Sequence, residues 1–407
     1  MENDSKKMFW FGWGTLLILY LTLSFSYQSP IDLQNFNVPW AQQIWENHFD
    51  LYNKQIVPRV DYPPLIPSLY AVFYKLVVHH DFLTFVNLGS LENLALKMPG
   101  LLATFTFGAW LYLKKIFSPV MILIIVIANP ISIVNTAMWG QSDIVLLALI
   151  FVAFYYLIVD KKPVVASFWM GIMLLTKLQG VYLFPLFIIA LFAYYWREVR
   201  VLLIAVITGG VTLLAGWAPF MLMSNNFFVP VKVYLSGASS YSEIALSSFN
   251  FWQAVMVVKP GVSSASQILN GLTLSQVNYL ILGVILLVSA VLILLKRNVH
   301  MIGLMYLIMI FTFTLNQHER YAIPAFAFVL LLVATKYKIS KLQSGLLGIL
   351  LLLTFLNETI MLNRFATAFT QVPAGVYFWL ASAFTVTVLI LLVVNLGMAL
   401  LKWRRRS

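Results

Sequence analysis

Long uninterrupted apolar runs constrain this chain more than any other feature of its sequence. Thirteen such windows lie at about 8–27, 63–79, 98–113, 119–135, 142–160, 163–176, 181–196, 199–219, 274–295, 299–316, 321–335, 342–360 and 378–401. A helix needs roughly 20 apolar residues to cross a bilayer. Of the 407 residues, 61% are hydrophobic and only 10% are charged, whereas soluble domains carry about 25% charged residues. The sequence therefore predicts an all-α polytopic membrane protein.

The basic residues lie in short clusters between the apolar runs, and this placement predicts how the chain crosses the membrane. The net charge is +12, but no region collects it into one face, so no nucleic-acid partner is expected. Lys and Arg are enriched on cytoplasmic loops. Clusters at 6–7, 114–115, 161–162, 197–200, 296–297, 336–341 and 402–406 then place both termini in the cytoplasm. With about 12–14 spans, the chain is expected in a bacterial plasma membrane.

The same assignment leaves two larger loops, 28–62 and 220–273, on the extracytoplasmic side of a single integral membrane domain covering residues 1–407. The first loop has apolar residues at helix-like spacing between Val38 and Phe49, typical of a helix lying in the interface. The second has room for short helices over the membrane surface. Residues 80–97 hold too many polar side chains for a span. We therefore expect 63–97 to form either two short spans or an excursion that does not cross.

Carboxylates are costly inside a bilayer, so their positions in such a chain point to function. Asp32 follows the first apolar run by about five residues, and Asp61 directly precedes Tyr62 and two prolines that begin the next helix. Both are candidate catalytic carboxylates on the extracytoplasmic side. For Asp61 the alternative is a helix N-cap.

A second polar group lies at the outer end of a predicted helical hairpin, in the turn that runs from Trp139 through Gln141 to Asp143. Lys177 and Gln179 lie between two windows that are too short to span alone. A lysine below the membrane surface needs an anionic partner, which is either Asp143 or a ligand phosphate. Alternatively, Asp143 caps the returning helix and Lys177 snorkels to solvent.

A third polar group, His318-Glu319-Arg320, ends another outer span. It offers a titratable donor, a carboxylate and a planar guanidinium suited to phosphate. The alternative is an interfacial Arg320 that snorkels while paired with Glu319. No spacing of His, Asp and Glu makes a convincing metal site, and no glycine-rich phosphate loop occurs. No cofactor is therefore predicted.

Together these groups resemble the GT-C superfamily of polyprenyl-phosphate-sugar-dependent glycosyltransferases, especially bacterial relatives of the GPI-anchor mannosyltransferases. The endoplasmic-reticulum enzymes that use dolichyl-phosphate sugars are more distantly similar. The matching pieces occur in the family's order over 28–321: Asp32 with Asn35-Phe36 and Pro39-Trp40, Asp61-Tyr62-Pro63-Pro64-Leu65, Trp139-Gly140-Gln141-x-Asp143, Lys177-x-Gln179, Asn250-Phe251-Trp252 and His318-Glu319-Arg320-Tyr321. The first loop has no Asp-x-Asp pair, where some relatives use a divalent metal.

The resemblance implies a GT-C-like helix bundle with extracytoplasmic loop helices. It also implies transfer of a hexose, with mannose favoured, from a polyprenyl-phosphate donor to an extracytoplasmic glycan or lipid acceptor. Asp32 would be the general base, and the anomeric carbon would be inverted. The implied substrate-binding residues are Trp139, Gln141 and Asp143 around the sugar, His318 and Arg320 at the leaving phosphate, and Lys177, Gln179 and Glu319 beside them.

The main alternative is a polytopic transporter or a flippase for lipid-linked glycans. Such a protein would place polar sites near the bilayer midplane, between pseudo-symmetric halves. Here the polar groups gather toward one side, and residues 1–200 and 201–407 share no related pattern. The sequence therefore favours the enzyme.

Overall fold

The fold is built almost entirely from helices, as the long apolar runs predict. The computed structural model describes residues 2–27, 33–46, 49–52, 60–78, 88–236, 242–269, 271–295, 298–366 and 373–404. Asp32 lies outside these residues, so its predicted role stays a prediction. The chain divides into two compact units, residues 1–240 with 365–368, and residues 241–364 with 369–407. The single membrane domain over 1–407 likewise stays a prediction.

Within its described residues, the first unit contains a one-turn π-helix, Leu33–Asn37, and eleven further helices. They are α1 Glu2–Ser26, α2 Val38–Glu46, α3 Leu65–Val78, α4 Leu88–Leu113, α5 Pro119–Ile127, α6 Pro130–Trp139, α7 Asp143–Ile158, α8 Pro163–Leu174, α9 Gly180–Tyr195, α10 Val199–Met223 and α11 Val229–Ser236. Helices α5 and α6 are bent by 48° at their junction. The break has a local cause, because the Asn129 side chain accepts a hydrogen bond from the backbone N–H of Ile131 at 3.0 Å and Pro130 starts the second helix.

The second unit combines helices with four short strands. Its helices are α12 Phe251–Val258, α13 Leu274–Leu294, α14 Val299–Phe313, α15 Phe326–Ala334, α16 Lys341–Ala366 and α17 Ala374–Arg404. The strands are β1 Ala245–Leu246, β2 Gln267–Leu269, β3 Leu272–Thr273 and β4 Gln317–His318. β1 pairs in parallel with β4, so that Ala245 lies opposite Gln317 and Leu246 opposite His318. This pairing fixes the segment that follows α14.

Helix length and composition make the chain a multi-pass membrane protein. Among the described helices, six are long and apolar enough to cross a membrane: α1, α4, α10, α13, α16 and α17. The bent pair α5–α6 would be a seventh span. Six further apolar segments are shorter than a full span. The number of crossings and the side on which each terminus lies therefore stay predictions.

Residues 88–97, part of the stretch expected to be too polar for a span, form the start of α4, which is long and apolar enough to cross a membrane, so that expectation was wrong for these residues. Lys97 is fully buried in α4, and its ammonium donates to the backbone carbonyls of Tyr27 at 2.7 Å and Ser24 at 3.3 Å. Nearby, the Tyr74 hydroxyl donates to Glu92 at 3.0 Å. These polar groups enter the helix because other helices satisfy their hydrogen bonds.

Helices α8 and α10 approach one another through glycines. A Cβ on Gly171 would lie 2.9 Å from the backbone oxygen of Gly209, and one on Gly216 would lie 2.2 Å from a methyl carbon of Leu175. Both distances are shorter than real Cβ contacts allow. Glycine at these two positions lets the helices pack closely, up to Leu175, the C-cap residue of α8.

The helix predicted in the first loop is confirmed as α2. Its Trp40 and Ile44 are buried in an apolar cluster with Ile66 and Tyr70 of α3, whereas Trp45 is 46% exposed. The ammonium of Lys75 lies 4.3 Å from the Trp45 ring centroid. One face of α2 thus packs on α3 and the other stays accessible. The second loop also contains short helices, α11 and α12, as its length allowed.

Candidate active site

The centre of the polar site in the first unit is a buried ion pair between Asp143 and Lys177. The Lys177 ammonium donates to the Asp143 carboxylate at 2.7 Å, with the two side chains 2% and 0% exposed. The Asn135 side-chain amide donates to the other carboxylate oxygen at 3.2 Å. The sequence predicted either Asp143 or a ligand phosphate as the anionic partner of Lys177. In the structure Lys177 pairs with Asp143. Lys177 does not snorkel to solvent.

The turn that carries Asp143 is held by backbone geometry. Gly140 adopts φ +81°, a left-handed conformation that suits glycine, and the N–H of Gln141 donates to the Asn135 carbonyl at 2.8 Å. Ser142 occupies the N-cap position and Asp143 is the first residue of α7. Asp143 is therefore not the helix cap. Trp139 and Gln141 are buried in the same turn.

The segment containing Asp61 and Tyr62 lies against this ion pair. The Lys177 ammonium is 5.6 Å from the centroid of the Tyr62 ring, and the Trp40 ring of α2 is 5.3 Å from the same ring. The N–H of Leu65 donates to the Leu175 carbonyl at 2.9 Å, which ties the segment to the end of α8. Because α3 begins at Leu65, Asp61 precedes the N-cap position and does not act as that cap.

Three further polar side chains around the pair are buried with atoms that have no hydrogen-bond partner among the described residues. They are both amide atoms of Gln179, the hydroxyl of Thr136 and the hydroxyl of Ser142. These residues are 8%, 0% and 2% exposed. Buried polar groups almost always have a partner in the protein, in ordered water or in a ligand. This region therefore has the donors and acceptors to bind a polar ligand.

The polar cluster of the second unit is His318-Glu319-Arg320, at the end of β4. Arg320 donates to Glu319, and Nδ1 of His318 lies 3.7 Å from the same carboxylate. Burial raises the pKa of Glu319, but the charges of Arg320 and His318 outweigh it and lower the pKa to about 2. Arg320 is paired with Glu319, as one alternative expected, but it is only 8% exposed. It is therefore buried and does not snorkel.

The motif around Asn250 and Trp252 anchors α12 to the end of α14. The Asn250 side chain caps α12 at the N–H of Gln253 and donates to the Phe311 carbonyl at 3.1 Å. The Trp252 indole donates to the Phe313 carbonyl at 2.8 Å. These hydrogen bonds support the loop that leads to His318. Their partners are backbone groups and not acid–base side chains.

Two buried polar residues of α16 in the second unit, Asn357 and Glu358, were not predicted as site residues. Asn357 donates to the Ser247 carbonyl at 2.8 Å and accepts from the N–H of Phe249 at 2.6 Å. Asn357 thus fixes the segment directly after β1, the strand that pairs with β4. Glu358 beside it is fully buried. The sequence signal was present, because Asn357-Glu358 interrupts an otherwise apolar run.

The predicted site residues thus fall into two groups. Asp61, Trp139, Gln141, Asp143, Lys177 and Gln179 belong to the first unit, and His318, Glu319 and Arg320 belong to the second. Their catalytic and binding roles stay predictions. Within the described residues, no group of three or more His, Asp or Glu side chains is arranged to hold a metal ion.

The fold resembles that of a solved structure, ArnT from Cupriavidus metallidurans bound to undecaprenyl phosphate, which confirms the predicted helix-bundle fold class. The likeness has a TM-score of 0.53 at 15% sequence identity and covers 94% of this chain and 71% of ArnT. No protein-family model matches the sequence, and no curated protein matches it.

Proposed function

We propose that this protein is an inverting glycosyltransferase that moves a hexose from a polyprenyl-phosphate-linked donor to an extracytoplasmic glycan or lipid acceptor. The observation that carries the proposal is the likeness of nearly the whole chain to ArnT, whose solved structure holds undecaprenyl phosphate. A polyprenyl chain is soluble in the bilayer. A helix bundle of this kind therefore suits a donor whose tail lies in the membrane.

The buried polar region of the first unit supports a sugar-binding role. The positive charge of Lys177 is neutralised by Asp143 at 2.7 Å, so the pair adds no net charge. It does provide a carboxylate and an ammonium, beside the buried amide of Gln179. Such groups bind hydroxyls, and Trp139 in the adjacent turn is an aromatic side chain of the kind that packs on a sugar ring. We assign the hexose of the donor to this region.

The cluster in the second unit supports a phosphate-binding role. Arg320 carries a permanent charge and a planar array of donors that suits phosphate, and His318 adds a donor. Glu319 is ionised at neutral pH because its pKa is about 2, and it holds the guanidinium of Arg320 in place. We therefore assign the leaving phosphate to His318 and Arg320, with Glu319 as the positioning residue.

The reaction needs a base and a leaving group. The base is a carboxylate, either Asp32 or the other candidate, Asp61. It accepts the proton of the acceptor hydroxyl while the hydroxyl oxygen attacks the anomeric carbon. The bond between that carbon and the phosphate oxygen breaks, and polyprenyl phosphate departs with the electron pair. Because attack and departure occur on opposite faces, the product has the inverted configuration.

The identity of the sugar and the orientation of the enzyme complete the proposal. Mannose is the favoured hexose because of the resemblance in the sequence motifs. The Lys and Arg clusters favour a plasma-membrane enzyme with both termini in the cytoplasm and the site on the opposite side. No metal is required by this chemistry, since the cationic side chains can stabilise the leaving phosphate.

The deciding experiment measures transfer in reconstituted membranes. Radiolabelled polyprenyl-phosphate mannose, glucose and galactose are offered with membrane acceptors to wild type, Asp32→Asn and Asp61→Asn. The matched control is Asp160→Asn, because Asp160 pairs with Lys114 at 3.3 Å on the surface and takes no part in the site. We expect the control to match wild type and the variant that lacks the base to lose at least about 100-fold in rate.

The outcomes separate the possible functions. Transfer from one donor by wild type names the sugar, and loss of transfer in one Asp→Asn variant names the base. If both Asp variants keep the wild-type rate, the assigned base is wrong. If no donor supports transfer by folded protein, while the labelled lipid moves across the membrane, the protein is a flippase and not a transferase.

A further inference from the structure

A cavity at the C-terminal end of α15 is lined by none of the catalytic and binding residues proposed above. Its volume is about 370 Å³, within the range of small-ligand pockets. Val329, Leu332 and Val333 of α15 form an apolar wall, and Ile339 adds to it from the following segment. The remaining lining residues are Lys336, Tyr337 and Lys338. The cavity thus combines an apolar wall with two cationic side chains.

The backbone places these lysines at the cavity by a helix-ending turn. The N–H of Tyr337 donates to the Leu332 carbonyl at 2.9 Å, and the N–H of Lys336 donates to the Val333 carbonyl at 3.0 Å. Lys336 has φ +52°. This is the left-handed C-cap in which glycine is the usual residue. The chain reverses there, so that Tyr337 and Ile339 return against the last turn of α15.

The charge around the cavity has one sign. Lys336 and Lys338 are exposed, Lys341 follows at the start of α16, and no Asp or Glu occurs in the sequence between Glu319 and Glu358. A ligand that complements this site is anionic at one end and apolar along the rest. The two lysines lie just after a short apolar helix, and basic residues beside the end of a membrane helix attract acidic lipid headgroups.

We propose that this cavity binds an anionic glycerophospholipid, with its phosphate between Lys336 and Lys338 and an acyl chain along Val329 and Leu332. The Lys and Arg clusters predict that this end of α15 lies at the cytoplasmic leaflet. Basic pockets beside membrane helices favour acidic headgroups, at about 5-fold in affinity for each lysine. The site is distinct from the donor site, so the proposal does not depend on the transferase activity.

The experiment uses the full chain purified in neutral detergent, with bound lipid counted by native mass spectrometry during titration with phosphatidylglycerol or phosphatidylcholine. The test variant is Lys336→Gly with Lys338→Gln. Glycine at 336 keeps the left-handed turn and removes the charge, so we expect the fold to be kept. The matched control is Lys161→Gly, because Lys161 is also exposed and has φ +53° at a helix end.

We expect wild type and the Lys161→Gly control to bind phosphatidylglycerol in preference to phosphatidylcholine. The double variant should bind phosphatidylglycerol about 30-fold more weakly. Equal binding of the two lipids by wild type overturns the proposal. An equal loss of phosphatidylglycerol binding in the Lys161→Gly control also overturns it, because the loss would then reflect general surface charge and not this cavity. Displacement of the lipid by millimolar inorganic phosphate would make free phosphate the ligand and also overturn it.

Discussion

Breaking the Asp143–Lys177 pair tests whether water is excluded from these two side chains, as their burial indicates. Lys177→Met removes the cation and leaves the Asp143 carboxylate, 0% exposed, beside Asn135. At 2.7 Å the gross attraction is about 6 kcal/mol at an effective dielectric constant of ~20. Loss of one partner from a buried pair costs about 3–5 kcal/mol. We expect each of Lys177→Met and Asp143→Asn to lower the free energy of unfolding by an amount in that range.

The double variant Asp143→Leu/Lys177→Met provides the sharper measurement. It leaves no unpaired charge, and its main remaining cost is the lost hydrogen bond from Asn135, about 1 kcal/mol. Equilibrium unfolding in mixed detergent micelles, measured for Asp143→Leu, Lys177→Met and their double, gives the coupling energy, which we expect to exceed ~2 kcal/mol. The double variant should regain stability but not transfer, since it lacks the carboxylate and the ammonium that are proposed to bind the sugar.

The control for this cycle is the exposed pair of Lys114 with Asp160, whose side chains are 35% and 21% exposed. Lys114→Met should cost less than about 1 kcal/mol. If Lys177→Met costs no more than this control, water reaches the pair and the argument from burial fails.

Three more expectations follow from the contacts described above. Lys97→Met should lower the free energy of unfolding by about 1–3 kcal/mol, because the carbonyls of Ser24 and Tyr27 lose a buried hydrogen-bond donor; unfolding in micelles measures it. Trp252→Phe should cost about 1 kcal/mol through the lost hydrogen bond to the Phe313 carbonyl, measured in the same way. Glu319 has a pKa of about 2 in the folded protein and 4.5 as its ordinary value. Its stabilisation is therefore complete above about pH 4.5 and is lost as the pH falls toward 2. The stability gap between wild type and Glu319→Gln should shrink as the pH falls from about 4.5 toward 2, and a gap that stays constant over that range would contradict the pairing with Arg320.

Local patterns in the sequence predicted much of the helical architecture. The spacing of Trp40 and Ile44 predicted α2, and the apolar windows predicted most helix positions to within a few residues. The start of α4 could not be predicted in this way. Lys97 looks incompatible with a span until its partners, the carbonyls at the end of α1, are known. Those partners are about 70 residues away in the sequence, so no local rule finds them.

The candidate site was predictable as a set of residues but not as a set of contacts. The need of Lys177 for an anion was clear from its position, yet the choice of Asp143 depends on how α7 and α8 are placed. For the same reason, the sequence could not decide whether Asp61 and Asp143 are helix N-caps, because tertiary contacts set where those helices begin. Asn357 was missed because its partners, Ser247 and Phe249, belong to a loop more than 100 residues earlier.

The glycine contact between α8 and α10 has a consequence for how such a site can change during evolution. Leu175 touches Gly216 and accepts the hydrogen bond of Leu65, and Lys177 follows it by two residues. A single methyl group at Gly216, inside an apolar interface, would push on the stretch that sets where the lysine ammonium lies. A substitution in an apolar interface can therefore displace the groups proposed to bind the sugar, while every polar residue stays the same.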